Sequence, residues 1–198
     1  LPNLKELTGR IHEKGGKCCA QLHHGGTLTM SKTCGCTPLA VSGIPSTKYK
    51  EPVHEMTNQE IYALIEKFVD AAERAKKAGF DFVEVHGAHG YLIGQFLSKA
   101  TNKRCDEFGG SYENRFCFAK EVIRRIKVRC GSDYPILIRM SANEFMEGGC
   151  NEKDLVVYAR LAEEAGVDAI HVSTGSGAGG SIVTPYYTDP GFNICNAE

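Results

Sequence analysis

No run of apolar residues approaches the roughly 18 that a membrane span needs, so no membrane partner is expected. The first residues, Leu1-Pro2-Asn3-Leu4-Lys5, lack the charged-then-apolar pattern of a secretory leader. Neither sign of charge dominates: 23 Lys and Arg stand against 24 Asp and Glu, for a net charge of −1. That balance excludes a protein held to a polyanion by bulk charge, and no nucleic-acid partner is expected. No Cys-x-x-Cys occurs among the nine cysteines at positions 18, 19, 34, 36, 105, 117, 130, 150 and 195. Cys18-Cys19 and Cys34-Gly35-Cys36 are too closely spaced for ordinary zinc or iron–sulfur pairs. The odd count and the abundant helix and strand patterning argue against a disulfide framework. Free thiols in a reducing cytoplasm are the expectation.

What is present is ordinary for a globular chain. Of 198 residues, 42% are hydrophobic and 24% charged, enough to bury a sizeable core. At roughly 150 residues per domain, this is one domain or one piece of a larger one. Thr57 and Glu60 form a capping box ahead of Ile61, Leu64, Ile65, Phe68, Ala72, Ala75 and Ala78, which recur at helical spacing. Gly79 stops that helix, and Phe80 to His86 is β-rich. The unit returns: Asn151 caps a helix ended by Gly166, and Asp168 to Ser173 follows as a strand. Two more units fit, with helices over Leu4–Lys14 and from Ser111 to about Arg129. Their strands run from Lys17 to Leu22 and from Pro135 to Ser141. Helix and strand in alternation imply a parallel sheet with helical crossovers. Residues 25–56, rich in Gly, Thr, Ser and Pro, read as a long loop or small hairpin.

A parallel α/β sheet can be doubly wound or closed as a (βα)8 TIM barrel. No G-x-G-x-x-G opens a helix after a strand. The glycines from Gly175 to Gly180 do follow one, but Pro185 and Pro190 come soon after and no helical pattern opens there. Polar residues gather at strand ends instead, at Gln21, His86, Arg139 and His171, where barrel enzymes place their chemistry.

The densest chemical signal is His86-Gly87-Ala88-His89-Gly90-Tyr91. Two histidines three apart at a strand end can share one pocket if the glycines turn the chain. A tyrosine beside them can act as a general acid. The spacing also admits structural histidines, or a metal pair that recruits Glu84 or His171 as third ligand. Gln21 opens a second cluster, Gln21-Leu22-His23-His24. A terminal amide there suits a heterocycle presenting a carbonyl beside an N–H, or is satisfied by backbone. Arg139 lies inside Ile136-Leu137-Ile138-Arg139-Met140 and needs a partner if buried. Glu84, Glu144 or the electron-rich edge of a reduced cofactor would serve. The stretch from Phe96 to Arg115 reads as a polar loop braced by its own charges.

Ala20 to Gly25, Val83 to Leu92, and Asn102-Lys103-Arg104, Asp106-Glu107 and Gly109 to Arg115, in this order, resemble the Old Yellow Enzyme family. The tail, Thr184-Pro185 through Pro190 to Asn193, is similar to its enoate-reductase and 2,4-dienoyl-CoA-reductase branch. The resemblance implies an FMN-dependent ene-reductase on a (βα)8 barrel, which passes hydride from NADH or NADPH to an activated C=C bond. Gln21 would then meet the flavin pyrimidine ring, and Arg139 the N1 and O2 edge. His86 and His89 would hold the substrate carbonyl, and Tyr91 would donate the proton. His23 stands where many relatives carry an aromatic residue, so a more polar substrate pocket is implied.

By motif, the four strands correspond to strands three to six of eight, making residues 1–198 part of an FMN-binding barrel domain. The strands that bind the FMN phosphate, and any iron–sulfur cluster or FAD module of the larger branch, would lie outside. These residues alone are therefore expected not to hold FMN tightly. The implied partner is a small unsaturated carbonyl compound, the implied assembly a homo-oligomer, and the implied location cytoplasmic. Two other readings stay open: a zinc-dependent barrel hydrolase using His86 and His89, and a non-catalytic half-barrel that self-associates through open sheet edges.

Overall fold

The structure is a computed structural model and describes residues 1–177. The resemblance seen in the tail, Pro185, Pro190 and Cys195 all lie outside the described residues. The chain begins with α1 (Pro2–Glu13) and β1 (Cys19–Leu22). A 3-10 turn at Gly26–Leu28 and the short α2 (Ser31–Cys34) follow. Next come β2 (Leu39–Ala40), β3 (His54–Glu55), α3 (Asn58–Lys77) and β4 (Phe82–Gly87). Then α4 (Leu92–Leu97), α5 (Tyr112–Cys130), β5 (Ile136–Ser141), α6 (Glu152–Ala165) and β6 (Ala169–Ser173) complete the described part.

Strands β1, β4, β5 and β6 form one parallel sheet in that order, each new strand added on the same side of the last. Sequential order without reversal is what a sector of a barrel requires. The helices are set by local chemistry. Thr57 and Glu60 close a reciprocal cap at the start of α3, and Asn151 and Asp154 do the same for α6. Gly166, at φ 102°, ends α6 in a conformation that a Cβ would strain. The apolar stripe of α3, Ile61, Ile65, Phe68, Val69, Ala72 and Ala75, is buried. It packs with Phe118, Val122 and Ile126 of α5 over Val83 and Val85 of β4. Because strand side chains alternate, Glu84 and His86 then lie on the other face, the barrel interior.

Two elements differ from the sequence reading. Within residues 25–56 the paired strands are parallel, Leu39 beside His54 and Ala40 beside Glu55, and not a hairpin. Residues 41–53 must therefore return along the strand direction, which a tight turn cannot do. Arg104 clamps this insertion: its Nη1 donates to the carbonyls of Val41 (2.9 Å) and Met56 (2.7 Å), and its Nη2 to Asn58 Oδ1 (2.7 Å). Secondly, the stretch after Tyr91 opens with a helix, α4, whose six residues are all buried. No described helix is long and apolar enough to cross a membrane.

Candidate active site

Strand register builds the site. In β4, β5 and β6 the residues His86, Arg139 and His171 stand side by side, and Gln21 of β1 stands beside Glu84. Beyond β4 the chain doubles back through His89 (φ 60°) and Gly90 (φ 73°). Left-handed backbone is uncommon for a residue with a Cβ, and three contacts hold His89 there. Its N–H donates to Ser141 Oγ (3.0 Å), its carbonyl accepts from Gly177 N (2.8 Å), and its Nε2 lies 2.7 Å from Ser173 Oγ. Buried Gln95 donates to the Gly90 carbonyl at 2.7 Å, fixing the turn from behind.

The reversal gathers the predicted residues. The rings of His86 and His89 are 5.2 Å apart, and Tyr91 lies 5.1 Å from His86 and 6.4 Å from His89. The His23 ring stands nearly perpendicular to that of Tyr91, with centroids 4.2 Å apart, and lies 5.3 Å from His86. Burial pushes the His86 imidazolium down to about 3, helped by the neighbouring imidazoles of His89, His23 and His171 and the Arg139 guanidinium. Burial, then Arg139 and His171, takes His89 down to about 4. Both rings are neutral at pH 7. His86 Nδ1 accepts the Ala88 N–H at 3.2 Å, so the ring proton is on Nε2. Arg139 Nη2 can only donate to Ser173 Oγ (3.3 Å), leaving the Ser173 O–H free to donate to His89 Nε2. With the Ser173 O–H donated there, the His89 proton sits on Nδ1. Two neutral N–H donors and a phenol share one pocket wall.

Arg139 finds neither carboxylate expected for it. Glu84 accepts from Gln21 Nε2 on one side and pairs with His171 Nδ1 (2.8 Å) on the other. Glu144 is buried against Ser98 Oγ (2.5 Å) and Cys150 N (2.7 Å). Arg139 Nε is buried without a hydrogen-bond partner among the described residues. A buried guanidinium N–H without an acceptor is costly, and an electron-rich ligand edge would satisfy it. Gln21, exposed and tethered by Glu84, offers its amide oxygen nearby. This donor set fits the pyrimidine ring of a flavin. The metal alternative finds no third ligand: among the described residues, His86 and His89 belong to no group of three ligand atoms that converge.

Sequence reasoning did not single out Ser141, Ser173 or Gln95. The two serines share strand parity with Arg139 and His171, a signal legible once the sheet order is known. Gln95 is the one polar side chain in α4, Leu-Ile-Gly-Gln-Phe-Leu.

Comparisons with known proteins show the family. The NADH:flavin oxidoreductase / NADH oxidase family matches residues 1–193. The NADH oxidase of Thermoanaerobacter brockii is 50% identical over 171 residues, covering 86% of this chain and 26% of that protein. An NADPH dehydrogenase of Halalkalibacterium halodurans is 41% identical over 198 residues, 100% of this chain and 56% of the relative. A solved 2-naphthoyl-CoA reductase matches with a TM-score of 0.91 and 30% identity, over 99% of this chain and 32% of that one. The Old Yellow Enzyme homologue of Zymomonas mobilis matches with a TM-score of 0.77 and 30% identity, over 85% of this chain and 51% of that one. The chain thus spans between about a quarter and about half of the curated relatives it matches. It belongs to the NADH:flavin oxidoreductase / NADH oxidase family, FMN-dependent oxidoreductases like Old Yellow Enzyme on a (βα)8 barrel, and carries four of that barrel's parallel strands.

Proposed function

We propose that these residues form the substrate-polarising and proton-donating wall of an ene-reductase acting on an α,β-unsaturated carbonyl compound. The observation that carries this reading is the unpartnered Arg139 Nε in the same register row as His86. A guanidinium whose Nε lacks an acceptor among the described residues stands beside two neutral donors and a phenol. When bound, FMN supplies the hydride, having drawn it from NADH or NADPH. Gln21 and Arg139 would hold its pyrimidine ring, and Arg139 would favour the negative charge of the reduced state. His86 Nε2–H and His89 Nδ1–H donate to the substrate carbonyl oxygen, where negative charge develops as the alkene is reduced. Neutral imidazoles can do this while leaving proton transfer to Tyr91, and burial keeps them neutral. The Tyr91 O–H gives its proton to the α-carbon, and solvent restores it through the half-buried face of the ring.

The test is ligand binding to the complete flavoenzyme in its oxidised form. Replacing both His86 and His89 with Ala should weaken a phenol or p-hydroxybenzaldehyde about 10-fold or more, at roughly 1 kcal/mol per lost hydrogen bond, and leave the flavin bound. Flavin loss on dialysis of that variant would show that the pair supports the cofactor or the fold.

A further inference from the structure

We propose that His12, Cys18 and Asp81 form a zinc-class divalent-metal site at the opposite end of the sheet from the histidine cluster. His12 is in the last turn of α1, Cys18 immediately precedes β1, and Asp81 immediately precedes β4. His12 Nε2 lies 2.8 Å from Asp81 Oδ2, Cys18 Sγ lies 3.6 Å from the same oxygen, and Sγ lies 3.9 Å from Nε2. A tetrahedral ion with ordinary Zn–N, Zn–O and Zn–S bond lengths needs ligand separations of about 3.3, 3.5 and 3.5 Å for these pairs. Each observed distance is within about half an ångström of its target, so rotamer adjustment alone can close the site. Among the described residues this is the group whose ligand atoms converge in this way.

The surroundings fit a metal centre. The backbone at Cys18 and Asp81 is pinned by Asp81 N to Cys18 O (2.9 Å) and Cys18 N to Asp81 Oδ2 (2.8 Å). Lys17 Nζ holds the far oxygen, Asp81 Oδ1, at 2.9 Å, an outer partner of the kind that orients a ligating carboxylate. Cys18 is buried, while the His12 side chain is 39% exposed, which leaves water a path to the fourth position. Binding would release the Cys18 thiol proton to solvent and shift the His12 ring proton to Nδ1, so that Nε2 can ligate. The thiolate and the Asp81 carboxylate then balance the two charges of the ion. Imidazole, thiolate and carboxylate together are a donor set that zinc accepts. The site would staple α1 to the ends of β1 and β4, on the barrel face associated with stability and away from the chemistry. Sequence spacing hid it, because Asp81 is 63 residues from Cys18. Cys19 takes no part, since strand alternation turns it to the other face.

The experiment titrates the metal-stripped full chain with Co(II) and then Zn(II), reading the thiolate-to-cobalt charge-transfer band and the melting temperature. One equivalent should bind, with affinity rising as pH increases. Among the described residues, the exposed Cys34, Cys36 and Cys105 are the competing thiols, and a C105S variant should keep the band as well. A C34S/C36S double variant should keep the band, and C18S should lose it. H12Q, at an exposed helix end, should weaken zinc by about 100-fold or more, since even outer partners are worth 10–100-fold. Circular dichroism would check that each variant is folded, and H12Q carries the test if C18S is not. A band that survives both C18S and H12Q, or vanishes in C34S/C36S, would overturn the proposal. So would the lack of stoichiometric binding.

Discussion

Replacing His86 and His89 together with asparagine removes two bases whose protonation the folded state resists. In an unfolded chain each imidazole titrates near its ordinary value of about 6.5. In the folded protein, burial and the neighbouring positive groups push them down to about 3 and about 4. Between these limits the unfolded chain binds protons that the folded one refuses, so unfolding free energy rises with pH. The contribution is complete above pH 6.5 and is lost as pH falls through that window towards the folded values. His86 is 5% exposed, so between pH 7.5 and 5 it should cost about 2 kcal/mol. Solvent screens the half-buried His89, which should add about half as much. Carboxylates such as Asp81 and Asp168, whose pKa values are also lowered, change stability over acid pH too. Their share is common to both proteins and cancels in the difference. Urea midpoints of wild type and variant, measured at pH 7.5 and pH 5, would give the result. The wild type should lose about 2–3 kcal/mol more than the variant over that interval. Parallel losses would refute the claim that the pocket holds neutral imidazoles. Long-range proton–nitrogen NMR adds an independent check, since His86 must show its proton on Nε2. A His86 Nδ1–H, or a titration midpoint near 6.5, would remove it as a neutral donor to substrate.

Tyr91→Phe in the complete enzyme should slow C=C reduction by about 10²–10⁴, while flavin reduction by NAD(P)H is unchanged; stopped-flow traces that slow equally in both half-reactions would deny it the acid role. Arg139→Met should lower the two-electron flavin potential by about 30–65 mV, the equivalent of one charged hydrogen bond of about 1.5–3 kcal/mol, as measured by dye-coupled reduction. An unchanged potential would mean that Arg139 does not face the ring. Thr57→Ala should destabilise the protein by about 1 kcal/mol in urea, because it deletes the reciprocal cap of α3 with Glu60.

The parts of this molecule legible in its sequence are those fixed by neighbours in the chain. Thr57, Asn151 and Ser111 announce three helix starts because a capping side chain bonds backbone two or three residues on. The four strands announce themselves by following a helix stop. Helix α4 escapes for the complementary reason. It is six residues long and wholly buried, so it has no polar face to set against an apolar one. The insertion's strands pair in parallel across a Gly- and Pro-bearing stretch that marks turns but not strand direction, and Arg104, which clamps them, lies far along the chain. His86, His89 and Tyr91 were visible as a motif, but the left-handed turn at His89 that brings the rings together rests on distant serines, Ser141 and Ser173.

Arg139 shows most clearly where sequence reasoning stops and register takes over. Its place in an apolar strand requires a partner, and Glu84 is a chemically sound candidate. In the sheet, however, Arg139 stands beside His86, while Glu84 is one step out of that row, beside Gln21 and Leu137. Glu84 is the interior residue that both Gln21 and His171 can reach, and they occupy both of its oxygens. A shift of one residue in the β4–β5 pairing would turn the interior side chains of one strand to the helix face, so this arrangement is tied to the buried packing of Val83, Val85, Ile136 and Ile138. The apolar face thus fixes which polar groups are left unpaired on the other side. The Arg139 Nε, left unpaired by a register that the core enforces, is the donor that the proposed flavin edge would meet.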